Sequence, residues 1–225
     1  MSNMIKRPSR TALHKEGFKL LKGFMGRPIE EDELAAGKNG RPFLKDGFSD
    51  FNISHSGKAA MATFVKKTNG QFPCTACDLE QYKEGRNFDG IAEKFFSPEE
   101  ASYVHSPPSH NKAEKFYQIW VLKESYLKLR GLTIGEIDKT PSFVSFDEKN
   151  NDWFFCLRIN NPVPVVFYLY ELEFGESRYY FAAAYEGEDP PGSPCFSFLG
   201  EEGRLKSIAV IKDAKSPVKT VMPNI

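Results

Sequence analysis

Long apolar runs are missing from this sequence of 225 residues. None approaches the roughly 18 residues that would suggest a membrane span, and positions 1–17 lack the apolar stretch that a signal peptide needs. The expectation is a cytoplasmic protein with no membrane partner. Net charge is missing too: 30 basic residues offset 30 acidic ones. No global field would draw duplex DNA, so no nucleic-acid partner is expected, although local basic clusters could still bind phosphates. Cysteine is scarce, with four in the chain, as suits reduced thiols. The pair Cys74-x-x-Cys77 has no second CxxC or Cys/His pair at finger-like spacing, and reads as small buried hydrophobes in a strand rather than half a zinc site. Short repeats are absent.

What is present is ordinary for a globular protein: 40% hydrophobic and 27% charged residues. Ser9–Phe24 reads as a helix, with Leu13, Leu20, Leu21 and Phe24 on one broad face and a Gly/Pro cluster ending it. FNISHSGKAAMATFV suggests a strand that breaks at Ser54–Gly57 and resumes near Ala60. Cys74–Glu80 is a second strand. The middle is helical: Asn87–Phe96, a helix opened by Ser97-Pro98, and a long helix from Lys112 to about Arg130 that stops at Gly131. Trp153–Ile159, Val165–Glu173 and Tyr179–Glu186 read as an antiparallel meander. Beyond 187 only Ile208–Ile211 looks strand-like. Helices and strands in separate blocks indicate an α+β protein.

Three short segments carry chemistry. In Asp78-Leu79-Glu80, strand geometry sends both carboxylates to one face; such a pair repels itself unless a cation, a proton or water intervenes. In the long helix, Glu124 and Lys128 are four apart and share a face. In Asn52-Ile53-Ser54-His55-Ser56-Gly57, hydroxyl, imidazole and glycine offer donors suited to a phosphate. Each alone is also explained blandly, as a solvated strand end, a surface ion pair and a turn. Together they describe carboxylates for a hard, oxygen-loving dication beside groups for a phosphate-bearing ligand.

The ordered set FNISHSG, ACDLE, FFSPEE and FYQIWVLKESYLKLRGLTI resembles a 4′-phosphopantetheinyl transferase of the surfactin-synthetase-activating type, from about Arg10 to Tyr185. The WxxKESxxK helix, with 44 residues from Glu80 to Glu124, is the most diagnostic element. The resemblance implies two similar α+β halves related by a pseudo-twofold axis: residues 1–70, then 71–188 carrying the acids, with 189–225 as a Pro/Gly-rich extension. It implies Mg²⁺, or Mn²⁺, held by Asp78, Glu80 and Glu124. Lys128 would contact the phosphates of coenzyme A. Arg10, Thr11, Arg41, Ser54, His55 and Lys123 would help bind coenzyme A, and Glu100 would serve as a base, with Glu124 and neighbouring Glu99 competing for that role. The implied reaction moves the phosphopantetheine arm to a serine of an apo acyl or peptidyl carrier protein, releases 3′,5′-ADP, and is carried out by a monomer. Only nine residues precede Arg10, fewer than the family usually has, so the first half is expected to be shortened. The alternative is a binding module of the same fold that grasps coenzyme A or a carrier protein without catalysis.

Overall fold

In the computed structural model, which describes residues 10–66, 74–159, 163–174, 176–187, 196–199 and 204–212, helix α1 (Arg10–Met25) comes first. It buries Leu20 and Leu21 against Phe51, Ala60, Ala62 and Phe64. Those partners belong to the hairpin of β3 (Ser49–Ser56) and β4 (Ala59–Lys66), which follows the short β1 (Leu34–Ala36) and β2 (Pro42–Leu44) pair. The strand break expected at Ser54–Gly57 is only the turn Gly57–Lys58; β3 runs through Ser54 and His55 to Ser56. Gly57 has φ +60°, and a Cβ there would lie 2.4 Å from Gln81 Oε1, so both the hairpin and its neighbour require glycine.

Strand β5 (Cys74–Gln81) leads to α2 (Phe88–Phe95), α3 (Pro98–His105) and α4 (Lys112–Arg130). Ser97 caps α3 as expected, accepting the Glu100 N–H while Glu100 accepts the Ser97 N–H. Gly131, at φ 63°, ends α4, and the Leu132 N–H returns to the Leu127 carbonyl at 2.8 Å. Next come the hairpin β6 (Val144–Asp147) with β7 (Asp152–Phe155), then β8 (Val165–Phe174) and β9 (Ser177–Glu186). The three expected meander strands are thus divided: among the described residues β7 pairs only with β6, while β8 and β9 pair with each other.

The chain after 187 does more than the one expected strand. β10 (Phe196–Leu199) pairs with β4, and β11 (Arg204–Lys212) pairs with β8. The sheets are β10-β4-β3 and β11-β8-β9-β5, antiparallel throughout. Side-chain alternation on β4 links them: Ala60, Ala62 and Phe64 face α1, while Ala59 and Met61 pack with Leu79, Tyr168, Tyr179 and Phe181 of the second sheet. That sheet's other face meets α4 through Phe116, Tyr117, Ile119, Phe167 and Tyr180. The architecture is α+β, a helix–sheet–sheet–helix stack. Cys74 and Cys77, three apart on β5, point to opposite faces and cannot ligate one ion together; burial pushes the Cys77 thiol up to about 11.

Candidate active site

The site forms where the edge of β5 meets β3 beneath α4. In β5 the N–H groups of Thr75, Cys77, Leu79 and Gln81 face away from β9, and β3 satisfies them with side chains. Asp50 Oδ2 accepts from Thr75 (2.8 Å), Asn52 Oδ1 from Cys77 (3.1 Å), Ser54 Oγ from Leu79 (3.2 Å) and Ser56 Oγ from Gln81 (3.0 Å). Two hydroxyls go further: Ser54 donates to Asp78 Oδ1 (3.0 Å) and Ser56 to Glu80 Oε2 (3.1 Å). Asp78 and Glu80 therefore stand together on β5, as strand alternation requires.

Helix α4 packs across β5 and brings two more members, Glu124 and Lys128. Lys128 Nζ lies 2.7 Å from Asp78 Oδ1 and also donates to Ser54 Oγ and the Cys77 carbonyl, each at 3.1 Å. Burial presses its ammonium toward the neutral form, but Asp78, Cys77 and Glu124 outweigh that and its pKa ends above the ordinary value. Glu124, one turn earlier, is held up at about 7, first by burial and then by Asp78 and Glu80, with Lys128 pulling the other way. Glu80 is raised by burial and by Asp78, against the Ser56 hydroxyl and the charges of Arg86 and Lys128. Three carboxylates thus crowd one ammonium, and Asp78 Oδ2 is buried with no hydrogen-bond partner. An all-oxygen donor set with a buried, unpartnered oxygen fits a hard dication. Among the described residues no three His, Cys, Asp or Glu side chains are drawn close enough to chelate an ion as they stand.

Other expected site residues sit differently. Glu100 and Lys123 form an ion pair (2.8 Å) with side chains 0% and 2% exposed. Glu100 Oε2 also accepts from Ser97 N–H and Oε1 from Phe143 N–H, and Lys123 donates to Thr140 Oγ1 at 2.6 Å. In this structure the two form an internal brace, with neither charge turned toward solvent. Arg41 is likewise turned inward: its guanidinium pairs with Asp50 (2.7 Å) and donates to the carbonyls of Lys128, Phe51 and Thr75. Ser54, 6% exposed, turns its hydroxyl toward Asp78. His55 points to the opposite face of β3 from Ser54 and Ser56. Arg10 and Thr11 open α1, but their side chains lie outside the described part of the structure.

The residue that sequence reasoning missed is Ser56, together with the row it ends. Its signal was available: Asp50, Asn52, Ser54 and Ser56 are polar at every second position while Phe51 and Ile53 are apolar between them.

An acid pair on an antiparallel edge, answered by a Glu/Lys pair on the helix packed over it, marks a protein built to manage clustered negative charge. Residues 75–183, which span all four of those groups, match the family model of the 4′-phosphopantetheinyl transferase superfamily. Across that span, just under half of its length, the chain is similar to this superfamily. It is 29% identical over 124 residues to 4′-phosphopantetheinyl transferase HetI of Nostoc sp., covering 53% of this chain and 50% of that protein. It is 37% identical over 95 residues to a 4′-phosphopantetheinyl transferase of Bacillus subtilis, covering 42% of this chain and 38% of that one. It is 29% identical over 147 residues to the transferase gsp of Aneurinibacillus migulanus, covering 64% and 56%. The matches span about half the length of these relatives.

Proposed function

We propose that this chain transfers the 4′-phosphopantetheine arm of coenzyme A to a serine of an apo acyl or peptidyl carrier protein. The observation that carries the reading is the convergence of Asp78, Glu80 and Glu124 on Lys128 inside the span that matches the superfamily. In the reaction the serine oxygen forms a bond to the β-phosphorus of coenzyme A. The bond from that phosphorus to the bridging oxygen breaks, and 3′,5′-ADP leaves with its electron pair. Asp78, Glu80 and Glu124 are the residues that would hold Mg²⁺ or Mn²⁺, which when bound supplies Lewis-acid charge at the pyrophosphate.

The chain's own groups account for the rest. Lys128, kept protonated by Asp78, presents positive charge where the pyrophosphate gains negative charge. Ser54 and Asp78 fix its ammonium from two sides. Of the carboxylates weighed as base, Glu100 has both oxygens engaged internally. Glu124, which shares the site with Lys128, is the carboxylate assigned to take the serine proton, directly or through water. His55 and the Arg10-Thr11 pair are the groups left for the adenosine-side phosphates. In the same reading the two sheets, each backed by a helix, are halves related by a pseudo-twofold axis in a cytoplasmic monomer. No helix among the described residues is long and apolar enough to cross a membrane.

The test is to mix the protein with coenzyme A, Mg²⁺ and an apo carrier protein and to follow 3′,5′-ADP by chromatography. Release that depends on both carrier and Mg²⁺ is expected. Coenzyme A binding without release over a panel of carriers would replace transfer by a binding role.

A further inference from the structure

The row on β3 changes chemistry along its length. At the first two positions the acceptors for β5 are a carboxylate, Asp50, and an amide, Asn52; opposite them β5 carries no acid. At the last two positions the acceptors are hydroxyls, and there β5 carries Asp78 and Glu80. A hydroxyl accepts with its lone pairs and still has one proton to give. Ser54 and Ser56 each accept a backbone N–H, which directs the single O–H at the neighbouring carboxylate: 3.0 Å to Asp78 Oδ1 and 3.1 Å to Glu80 Oε2. A carboxylate in either position could accept the N–H but would repel the acid, and alanine could do neither.

The result at Asp78 is asymmetric. Oδ1 takes the Ser54 proton and the Lys128 ammonium, whereas Oδ2 is buried and has no partner. The serine thus holds one oxygen and thereby aims the other. Ser56 does the same for one oxygen of Glu80, with its own hydroxyl held by the Gln81 N–H.

We propose that Ser54 and Ser56 are positioning residues for the acid pair: each clamps one carboxylate oxygen through a hydroxyl that is itself anchored to the β5 backbone, leaving the other oxygen presented to a divalent cation. This rests on the reading of Asp78 and Glu80 as cation-holding acids, and it concerns how they are aimed. Outer partners of this kind, which orient a ligating carboxylate, typically alter metal affinity 10–100-fold when removed.

Mn²⁺ binding to the full chain, measured by loss of the free-ion EPR signal without coenzyme A, reads the clamp directly. Ser56→Ala is the main variant because Ser56 is only half-buried; Ser54→Ala is the second, and Ser56→Thr keeps the hydroxyl. Asn52→Ala is the control, because it removes an anchor of the same row where no acid stands opposite. Expected are an affinity loss of about tenfold or more in Ser56→Ala and Ser54→Ala, recovery toward the wild-type value in Ser56→Thr, and, in Asn52→Ala, a lower melting temperature with Mn²⁺ affinity kept. Wild-type affinity in both serine-to-alanine variants would overturn the proposal, leaving the cation reading intact. So would a loss in Asn52→Ala as large as in Ser56→Ala, since the row would then act only as a fastener. Wild-type protein that binds no Mn²⁺ would overturn the cation reading and this inference together.

Discussion

Replacing Glu124 by glutamine removes a negative charge from the most crowded part of the site, and the structure sets the size of the effect. Its carboxyl is held at about 7 against an ordinary 4.5, chiefly by burial and then by Asp78 and Glu80. A shift of that size, at 1.36 kcal/mol per unit, is worth about 3 kcal/mol. The sign follows from linkage: between pH 4.5 and 7 the folded chain keeps a proton that the unfolded chain releases, so stability falls as pH rises through that window. Above pH 7 the full cost of the ionised carboxylate is present. Glutamine carries no such cost. In the absence of divalent cations, Glu124→Gln should therefore melt higher than wild type at pH 8, by roughly 6–12 °C for a chain of this size. The gap should close on acidification toward pH 4.5. Mg²⁺ should raise the wild-type melting temperature at pH 8 and leave the variant nearly unmoved. Differential scanning calorimetry at four or five pH values is sufficient. A variant that melts at or below wild type at pH 8, or a gap that does not change with pH, would refute the electrostatic account of this site.

Other consequences are equally open to measurement. Glu100→Gln strands the buried Lys123 ammonium and should cost about 3–5 kcal/mol in chemical denaturation, whereas Glu100→Gln combined with Lys123→Met should recover most of it; a single variant as stable as wild type would contradict the internal brace. Gly57→Ala forces a Cβ at φ +60° against Gln81, and should lower stability by about 1–2 kcal/mol, read as a fall in melting temperature. Lys128→Met should lower the transfer rate constant about 10²–10³-fold, as removal of a preorganised charge partner does, in protein whose circular dichroism is unchanged; an unimpaired rate would remove Lys128 from the chemistry.

Much of the fold follows from local pattern. The long helix ends where Gly131 permits a left-handed cap, and Ser97 with Glu100 writes the start of α3 in side chains that bond the adjacent backbone. The acid pair was legible for the same reason, because period-two geometry needs no knowledge of the partner strand. What the sequence left illegible depended on distant contacts. Ser54 and His55 looked like a broken loop because polar residues are rarely placed inside a strand, yet β3 runs through both, and the edge of β5 supplies the partners of Ser54. The pairing of Glu100 with Lys123, and of Arg41 with Asp50 and backbone carbonyls, joins residues that only the tertiary structure brings together. The tail seemed an appendage because β10 is four residues long, and its pairing with β4 is made across more than a hundred residues of chain.

The central claim is that this acidic site moves a phosphopantetheine arm, and the intact mass of a carrier protein decides it. Apo carrier incubated with coenzyme A, Mg²⁺ and the wild-type chain should gain the mass of one phosphopantetheine arm on a serine. With folded Glu80→Gln it should gain none in the same time. Carrier that stays at its apo mass with wild-type protein, or is fully converted by Glu80→Gln, would contradict the account.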